Sequence, residues 1–257
     1  PENVGIFPIP QKMELLPQNF LLDEQSFIAI PARPSSHDVF LSGFLRAELS
    51  DRYGFAIKTK SVSQIEQDKK VILMGTINNA LVEAACRANH IDVNDIKQHP
   101  ESYVLRADSN GVLIAGSDES GAFYGLQSLR QLIRKNGKTV SIRAVKVEDW
   151  SYKPFRGIRL YMPGKDNIPF FKRFLRDFMA MYKFNTLILE VSTCMRYDRH
   201  PEINTGWIEF GRELRYSRRE RPTGPKGEYQ DSGNHDAGDG GIVEKEDVAD
   251  VVRYARG

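Results

Sequence analysis

Adjacent carboxylates are the first pattern in this chain that could do chemistry, because a neighbouring Asp and Glu can divide the work of holding charge and delivering a proton. The Asp-Glu pair occurs twice, as Asp23-Glu24 and Asp118-Glu119. Asp23-Glu24 reads as charge at a strand edge and Asp118-Glu119 as the start of a helix, so neither reads as a catalytic dyad. The five histidines, His37, His90, His99, His200 and His235, are scattered, with no H-E-x-x-H and no G-x-S-x-G to support a zinc protease or a serine hydrolase. Residues 230–241, QDSGNHDAGDGG, offer oxygen and imidazole ligands, but Gly233 stands at the third position of a loop counted from Asp231, where a calcium loop needs a carboxylate or amide. That run reads as a flexible active-site loop, and no metal or other cofactor is implied. Arginines 212, 215, 218, 219 and 221 surround Tyr216 as an RNA-binding strip would. Glu213 and Glu220 interrupt them and a Pro-Gly-rich stretch follows, so a solvated loop is the expectation.

The chain as a whole sets few limits on partners. Its 257 residues suit one large domain or two smaller ones, with 40% hydrophobic and 27% charged residues. A net charge of +2 gives no field for nucleic acid. No apolar run approaches the ~20 residues of a membrane-spanning helix. Cys86 and Cys194 have no metal-ligand spacing, and the opening PENVGIFPIP has neither the basic nor the apolar region of an export signal.

The elements that would position chemistry change character near Trp150. Before it, residues 19–30 and Val71–Met74 read as strands and residues 37–53 as a helix ending at Gly54. A short helix is expected over 79–88. Runs 103–107 and 112–115 flank Asp108-Ser109-Asn110-Gly111, whose Asn-Gly pair suits positive φ in a hairpin turn. Ser117–Ile133, SDESGAFYGLQSLRQLI, is an amphipathic helix with Ala122, Leu126, Leu129 and Ile133 on one stripe, Gly121 and Gly125 sharing a face, and Gln127, Arg130 and Gln131 turned away. Residues 140–147 return as a strand. After the joint at Lys153-Pro154 the rhythm becomes strand (155–162), helix (170–184), strand (185–192, apolar enough to be buried on both sides), long polar segment and helix (244–256). That order fits the start of a (β/α)8 barrel or a doubly wound sheet, which the pattern alone does not separate.

Several of these segments resemble one family. GAFYGLQSL is similar to the GAFYGLQTL segment of family 20 glycoside hydrolases, the β-N-acetylhexosaminidases; PFRGIRL resembles their YRGLMLD, KFNTLILEVS their KMNVLHLHLTD, and GGIVEKEDVADVVRYARG their GGYYTQEDIREIVAYARERG. With FPIPQKMEL at the start, the resemblance runs over nearly the whole chain. It implies an α/β chain with residues 1–150 as an α+β accessory domain, a mainly antiparallel sheet with helices on one face, and residues 151–257 as the truncated start of a (β/α)8 barrel. It also implies an enzyme removing terminal GlcNAc or GalNAc from glycans by a substrate-assisted retaining mechanism, in the periplasm, on the outer membrane or outside a bacterial cell. The catalytic Asp-Glu pair would follow barrel strand four, beyond this chain, so the chain by itself is expected to be inactive. An open strand edge would leave it prone to self-association.

Residue by residue, Arg156 matches the strand-one arginine that hydrogen-bonds sugar hydroxyls, a role its fork of donors suits; pairing with Glu148 or Asp149 is the structural alternative. Glu190 is a candidate carboxylate at the end of the second strand, or a buried salt-bridge partner. Gly206-Trp207 resembles the family's Gly-Trp and makes Trp207 a candidate sugar contact, although Ile208 replaces the usual arginine. Tyr161, Met162 and Pro163 stand where the family has an aspartate and then Arg-His, and Thr193-Cys194 where it has an acidic pair. These departures leave open two other functions: a carbohydrate-binding or docking module, and a barrel with altered or lost catalysis.

Overall fold

The computed structural model describes residues 5–66, 69–191, 195–205 and 243–256. It divides into two compact units, Pro1–Pro154 with Met181–Lys183, and Phe155–Ala180 with Phe184–Gly257. In the first unit the strands are β1 (Lys12–Leu15), β2 (Phe20–Leu22), β3 (Phe27–Pro31), β4 (Lys58–Val62), β5 (Val71–Thr76), β6 (Tyr103–Asp108), β7 (Gly111–Gly116), β8 (Ile133–Asn136), β9 (Thr139–Ile142) and β10 (Val145–Asp149). Its helices are α1 (Ser36–Tyr53), α2 (Ala80–Ala88), α3 (Val93–Lys97) and α4 (Glu119–Leu132).

Seven strands form one sheet in the order β1-β10-β6-β7-β5-β3-β4. The pairs from β1 to β7 are antiparallel and those from β7 to β4 parallel, so the sheet is evenly mixed where a mainly antiparallel one was expected. Helices cover both faces, not one. Ile28, Ile72, Leu105 and Ile114 join the cluster containing α1 and α4, whereas Phe27, Val71, Leu73, Val104 and Leu113 join the one containing α2 and α3. Strand alternation sends neighbours to opposite faces, and continuously apolar runs such as Val71–Met74 serve two layers at once.

Two expected single strands each split. Residues 19–30 become β2 and β3 because Asp23 accepts hydrogen bonds from the amides of Gln25 and Ser26, closing a turn between them. Residues 140–147 become β9 and β10. β2, β9 and β8 form a separate three-stranded antiparallel sheet. Helix α1 begins with a reciprocal cap, Ser35 Oγ accepting from the Asp38 amide at 3.1 Å and Asp38 Oδ2 from the Ser35 amide at 2.9 Å, and ends at Gly54 with φ 64°. The β6–β7 hairpin forms, but its turn does not use positive φ at Asn110 or Gly111. Asp108 instead accepts from the Asn110 amide, and Gly111 is needed because a Cβ there would lie 2.8 Å from the Val71 carbonyl oxygen of β5.

Helix α4 is buried nearly all round, a correction to the amphipathic expectation. A Cβ at Gly121 would lie 2.2 Å from the Ser102 carbonyl oxygen, and one at Gly125 2.4 Å from Ile114 Cγ2 and 3.1 Å from the Tyr103 ring. The two glycines therefore let the helix backbone rest directly on the β6–β7 hairpin. Leu126, Leu129 and Leu132 are fully buried, each burial favourable by roughly 1.5–3 kcal/mol. Gln127 and Arg130, expected to face outward, are buried because α1 presents Glu48: Arg130 Nη2 donates to Glu48 at 2.9 Å and Nη1 to Gln127 Oε1 at 2.7 Å.

The second unit contains β11 (Gly157–Tyr161), α5 (Ile168–Phe174), β12 (Thr186–Glu190) and a last helix, Lys245–Arg256. Pro169 occupies the first turn of α5. The expected helix 170–184 stops early: α5 widens into a π-helical segment over Leu175–Ala180, the Phe184 amide reaches back to the Met179 carbonyl at 2.9 Å, and Lys183 turns with φ 60°. Phe171, Leu175 and Met179 keep one buried stripe, with Met162, Ile168, Val243 and Val251 in the same core. β11 and β12 are parallel, from Gly157↔Thr186 to Tyr161↔Glu190. Among the described residues they pair only with each other, and Ile188 is 49% exposed, so β12 is not buried on both sides as its apolar run suggested.

Candidate functional site

Parallel strands with a helix on one side concentrate usable side chains on the uncovered side and at the carboxyl ends. Ile158, Leu160, Leu187 and Leu189 pack into the core of the second unit. The alternate positions Arg159, Tyr161, Ile188 and Glu190 share the other face. Arg159 Nη2 forms an ion pair with Glu190, and its guanidinium carbon lies 5.9 Å from the centre of the Tyr161 ring. The hydrogen bond to Glu190 and then its charge hold the Arg159 guanidinium above its ordinary pKa. Glu190 thus sits at the carboxyl end, tied to a cation, with its backbone carbonyl accepting from the Met162 amide at 2.8 Å. A carboxylate so engaged orients a donor more readily than it delivers a proton.

Arg156 lies one residue before β11, at the opposite end of the pair. Asn185 fixes it there: the Arg156 amide donates to Asn185 Oδ1 at 3.0 Å, and the Asn185 amide returns to the Arg156 carbonyl at 3.0 Å. The rise of a strand puts about 13–17 Å of backbone between Arg156 and Glu190, so the structure does not bring the two together. Trp207, the arginine-rich run 209–226 and the segment 230–241 lie outside the described residues. Arg159 and Tyr161, not expected on this face, share it with Glu190; the i, i+2 alternation along β11 is the signal that places them there.

The aspartates of both Asp-Glu pairs are built into the fold. Asp118 Oδ1 caps α4 by accepting from the Gly121 amide at 2.7 Å, and Oδ2 accepts from the Glu101 amide at 2.9 Å. Asp23 pairs with Lys70, which lowers its carboxyl pKa. Glu148 is held by Lys12 at 2.9 Å and Lys146 at 3.1 Å, and Asp149 by Lys183 at 2.7 Å and the Tyr103 hydroxyl at 2.9 Å. Burial, and then the charge of Asp149, push the Tyr103 phenol well above its ordinary pKa, so it donates and does not ionise. Burial likewise pushes the Cys86 thiol up to about 11. Among the described residues no three of His, Cys, Asp and Glu come together to hold a metal ion, and no helix is long and apolar enough to cross a membrane.

Residues 3–150 match the family model for glycosyl hydrolase family 20, domain 2. A beta-hexosaminidase of Porphyromonas gingivalis (strain ATCC BAA-308 / W83) is 28% identical over 170 residues, covering 60% of this chain and 19% of that protein. The chain therefore spans about a fifth of the length of that relative. Among solved structures, the β-N-acetylhexosaminidase of Bacteroides fragilis NCTC 9343 superposes with a TM-score of 0.64 at 17% identity, over 98% of this chain and 42% of that one. The N-acetyl-β-hexosaminidase of Streptomyces plicatus, in complex with Thio-NAglucal, gives 0.63 at 19% identity, over 100% and 44%. At these identities the structures show likeness of fold.

Proposed function

From the premise that this chain belongs to glycosyl hydrolase family 20, by the domain-2 match over residues 3–150, we propose that it is part of a β-N-acetylhexosaminidase-like enzyme removing terminal GlcNAc or GalNAc from glycans. Residues 151–257 are the opening of its (β/α)8 barrel, and the substrate's own acetamido oxygen is the nucleophile. The observation that carries this is the β11–α5–β12 unit following the family domain, its uncovered face bearing Arg159, Tyr161 and Glu190 as the inside of a barrel would. Arg156 binds sugar hydroxyls in the complete site, and Trp207 lines it. The Asp-Glu pair that orients the acetamide and protonates the leaving oxygen is supplied from outside this chain, since the aspartate of each of its own pairs is engaged structurally. The setting is the bacterial periplasm, outer membrane or exterior, and the chain alone associates through its strand edges.

The test is release of nitrophenol from an aryl N-acetyl-β-glucosaminide. The complete protein is expected to turn it over and the 257-residue chain to be inactive. Turnover by the chain alone would overturn the placement of the acids, and an inert complete protein would overturn the activity. Tyr161, standing where the resemblance expects an aspartate, favours a second outcome of the same assay: a barrel that binds the glycan and has changed or lost its catalysis.

A further inference from the structure

The outer face of the small β2-β9-β8 sheet gathers polar side chains at one place. Phe20, Ile142 and Ile133 lie opposite one another and are buried, so the adjacent row, Leu21, Ser141 and Arg134, points the other way. On that side lies an open cleft of about 560 Å³, lined by Arg134, Arg143, Asn136, Ser141 and Asn19 with the Leu15–Pro17 segment as its apolar wall. Among the described residues no aspartate or glutamate lines it. Arg134 is held from behind, Nη1 donating to the Gln131 carbonyl at 2.7 Å and the Ile133 carbonyl at 2.9 Å. No carboxylate pairs with it among the described residues, so its charge is left to solvent or to a ligand, unlike that of Arg130, which Glu48 takes up.

We propose that this cleft binds an oxyanion, sulfate or carboxylate, carried on a saccharide. A guanidinium anchored through one nitrogen still presents other donors in a fixed plane, the geometry that suits two oxygens of one anion. A second guanidinium and the Ser141 and Asn136 side chains border the same space, and the cleft falls within the roughly 300–1,000 Å³ of small-ligand sites. That the anion is borne by a sugar rests on the proposed function; that the site takes an anion does not.

Calorimetric titration of the whole chain with inorganic sulfate, N-acetylglucosamine 6-sulfate, glucuronate and unmodified N-acetylglucosamine separates these parts. At least one of the two anionic sugars is expected to bind saturably and more tightly than inorganic sulfate, with affinity falling in high salt, and N-acetylglucosamine not to bind here. Arg134→Gln and, separately, Ser141→Glu, which sets a carboxylate directly across from Arg134, should each weaken binding by about tenfold or more, with circular dichroism verifying that each variant is folded. Absence of saturable binding by every anion, equal binding of the unmodified sugar, or binding intact in both folded variants overturns the site. Inorganic sulfate binding as tightly as both sugars overturns the saccharide half alone. An inert complete protein in the nitrophenol assay would leave the anion site standing and remove only the ground for a saccharide carrier, so the two proposals fail separately.

Discussion

Two arginine–glutamate pairs, one in each unit, have opposite surroundings. Arg130 and Glu48 join α4 to α1 with their side chains 0% and 2% exposed; Arg159 and Glu190 join β11 to β12 with theirs 64% and 26% exposed. The first pair is enclosed by aliphatic core and by Phe44, whose ring centre is 5.0 Å from the guanidinium. It serves the fold: the segment that most plainly marks the family is a packing device, its glycines admitting the hairpin and its arginine satisfying a buried acid. The second pair lies on a face that packing leaves uncovered, where a charged network can meet a ligand. The same chemistry thus stands in two settings, and burial is what separates them.

The contrast breaks first at Glu48. Glu48→Ala leaves Arg130 charged and enclosed without its carboxylate, and the expected loss is about 3–5 kcal/mol of unfolding free energy, read from urea midpoints. A loss under about 1 kcal/mol would mean that water reaches this pair and that the two sites are alike. Gly125→Ala comes next. Its Cβ would meet Ile114 Cγ2, which can give way, and Tyr103, which is fixed by Ser128 and Asp149, so overpacking of about 1–3 kcal/mol is expected by the same measurement. An unchanged midpoint would show that α4 does not rest closely on the hairpin.

How far the sequence revealed this depended on the range of the interaction. Caps and turns are local, so α1, from Ser35 to Gly54, and the β6–β7 hairpin were legible, as was the position of α4. Gln127 and Arg130 were misplaced because what buries them is Glu48, 82 residues away, and periodicity within one helix cannot register a partner on another. The split of residues 19–30 and of 140–147 between two sheets was hidden for a similar reason: an apolar run records that it is buried, not which sheet buries it. At the candidate site, Arg156 and Glu190 were visible as residue types, but their separation to opposite ends of β11 and β12 follows from register, which is set by Asn185 closing on Arg156. Arg159 sits among apolar neighbours in PFRGIRL: the alternation along β11 marks its face, but its partner, Glu190, comes from across the ladder.

A smaller effect should come from His37, in the first turn of α1. Burial lowers its pKa, opposed in part by the charge of Glu119 and of Asp38. The unfolded chain, with His37 at its ordinary 6.5, then takes up a proton that the folded chain refuses. The sign follows: the first unit keeps this contribution above about pH 6.5 and loses it as the pH falls from there toward the depressed folded value. Comparing urea midpoints at about pH 7.5 and pH 5, His37→Asn should show a shallower loss than the parent chain. An identical slope would show that His37 is as accessible in the fold as in the unfolded chain.

The smallest expected effect on stability belongs to the exposed pair. Arg159→Gln or Glu190→Gln removes a bridge that water can replace, with no charge enclosed in either variant, so the thermal midpoint of the chain should stay at the parent value within error. The consequence should appear elsewhere. In the complete protein this face is the proposed inside of the barrel, so either substitution there should change turnover or substrate affinity while leaving unfolding of the isolated chain unmoved. Should the midpoint of the isolated chain instead fall as it does for Glu48→Ala, the face carrying Arg159, Tyr161 and Glu190 would be as enclosed as α4, and its two charges would belong to packing like those of the first unit.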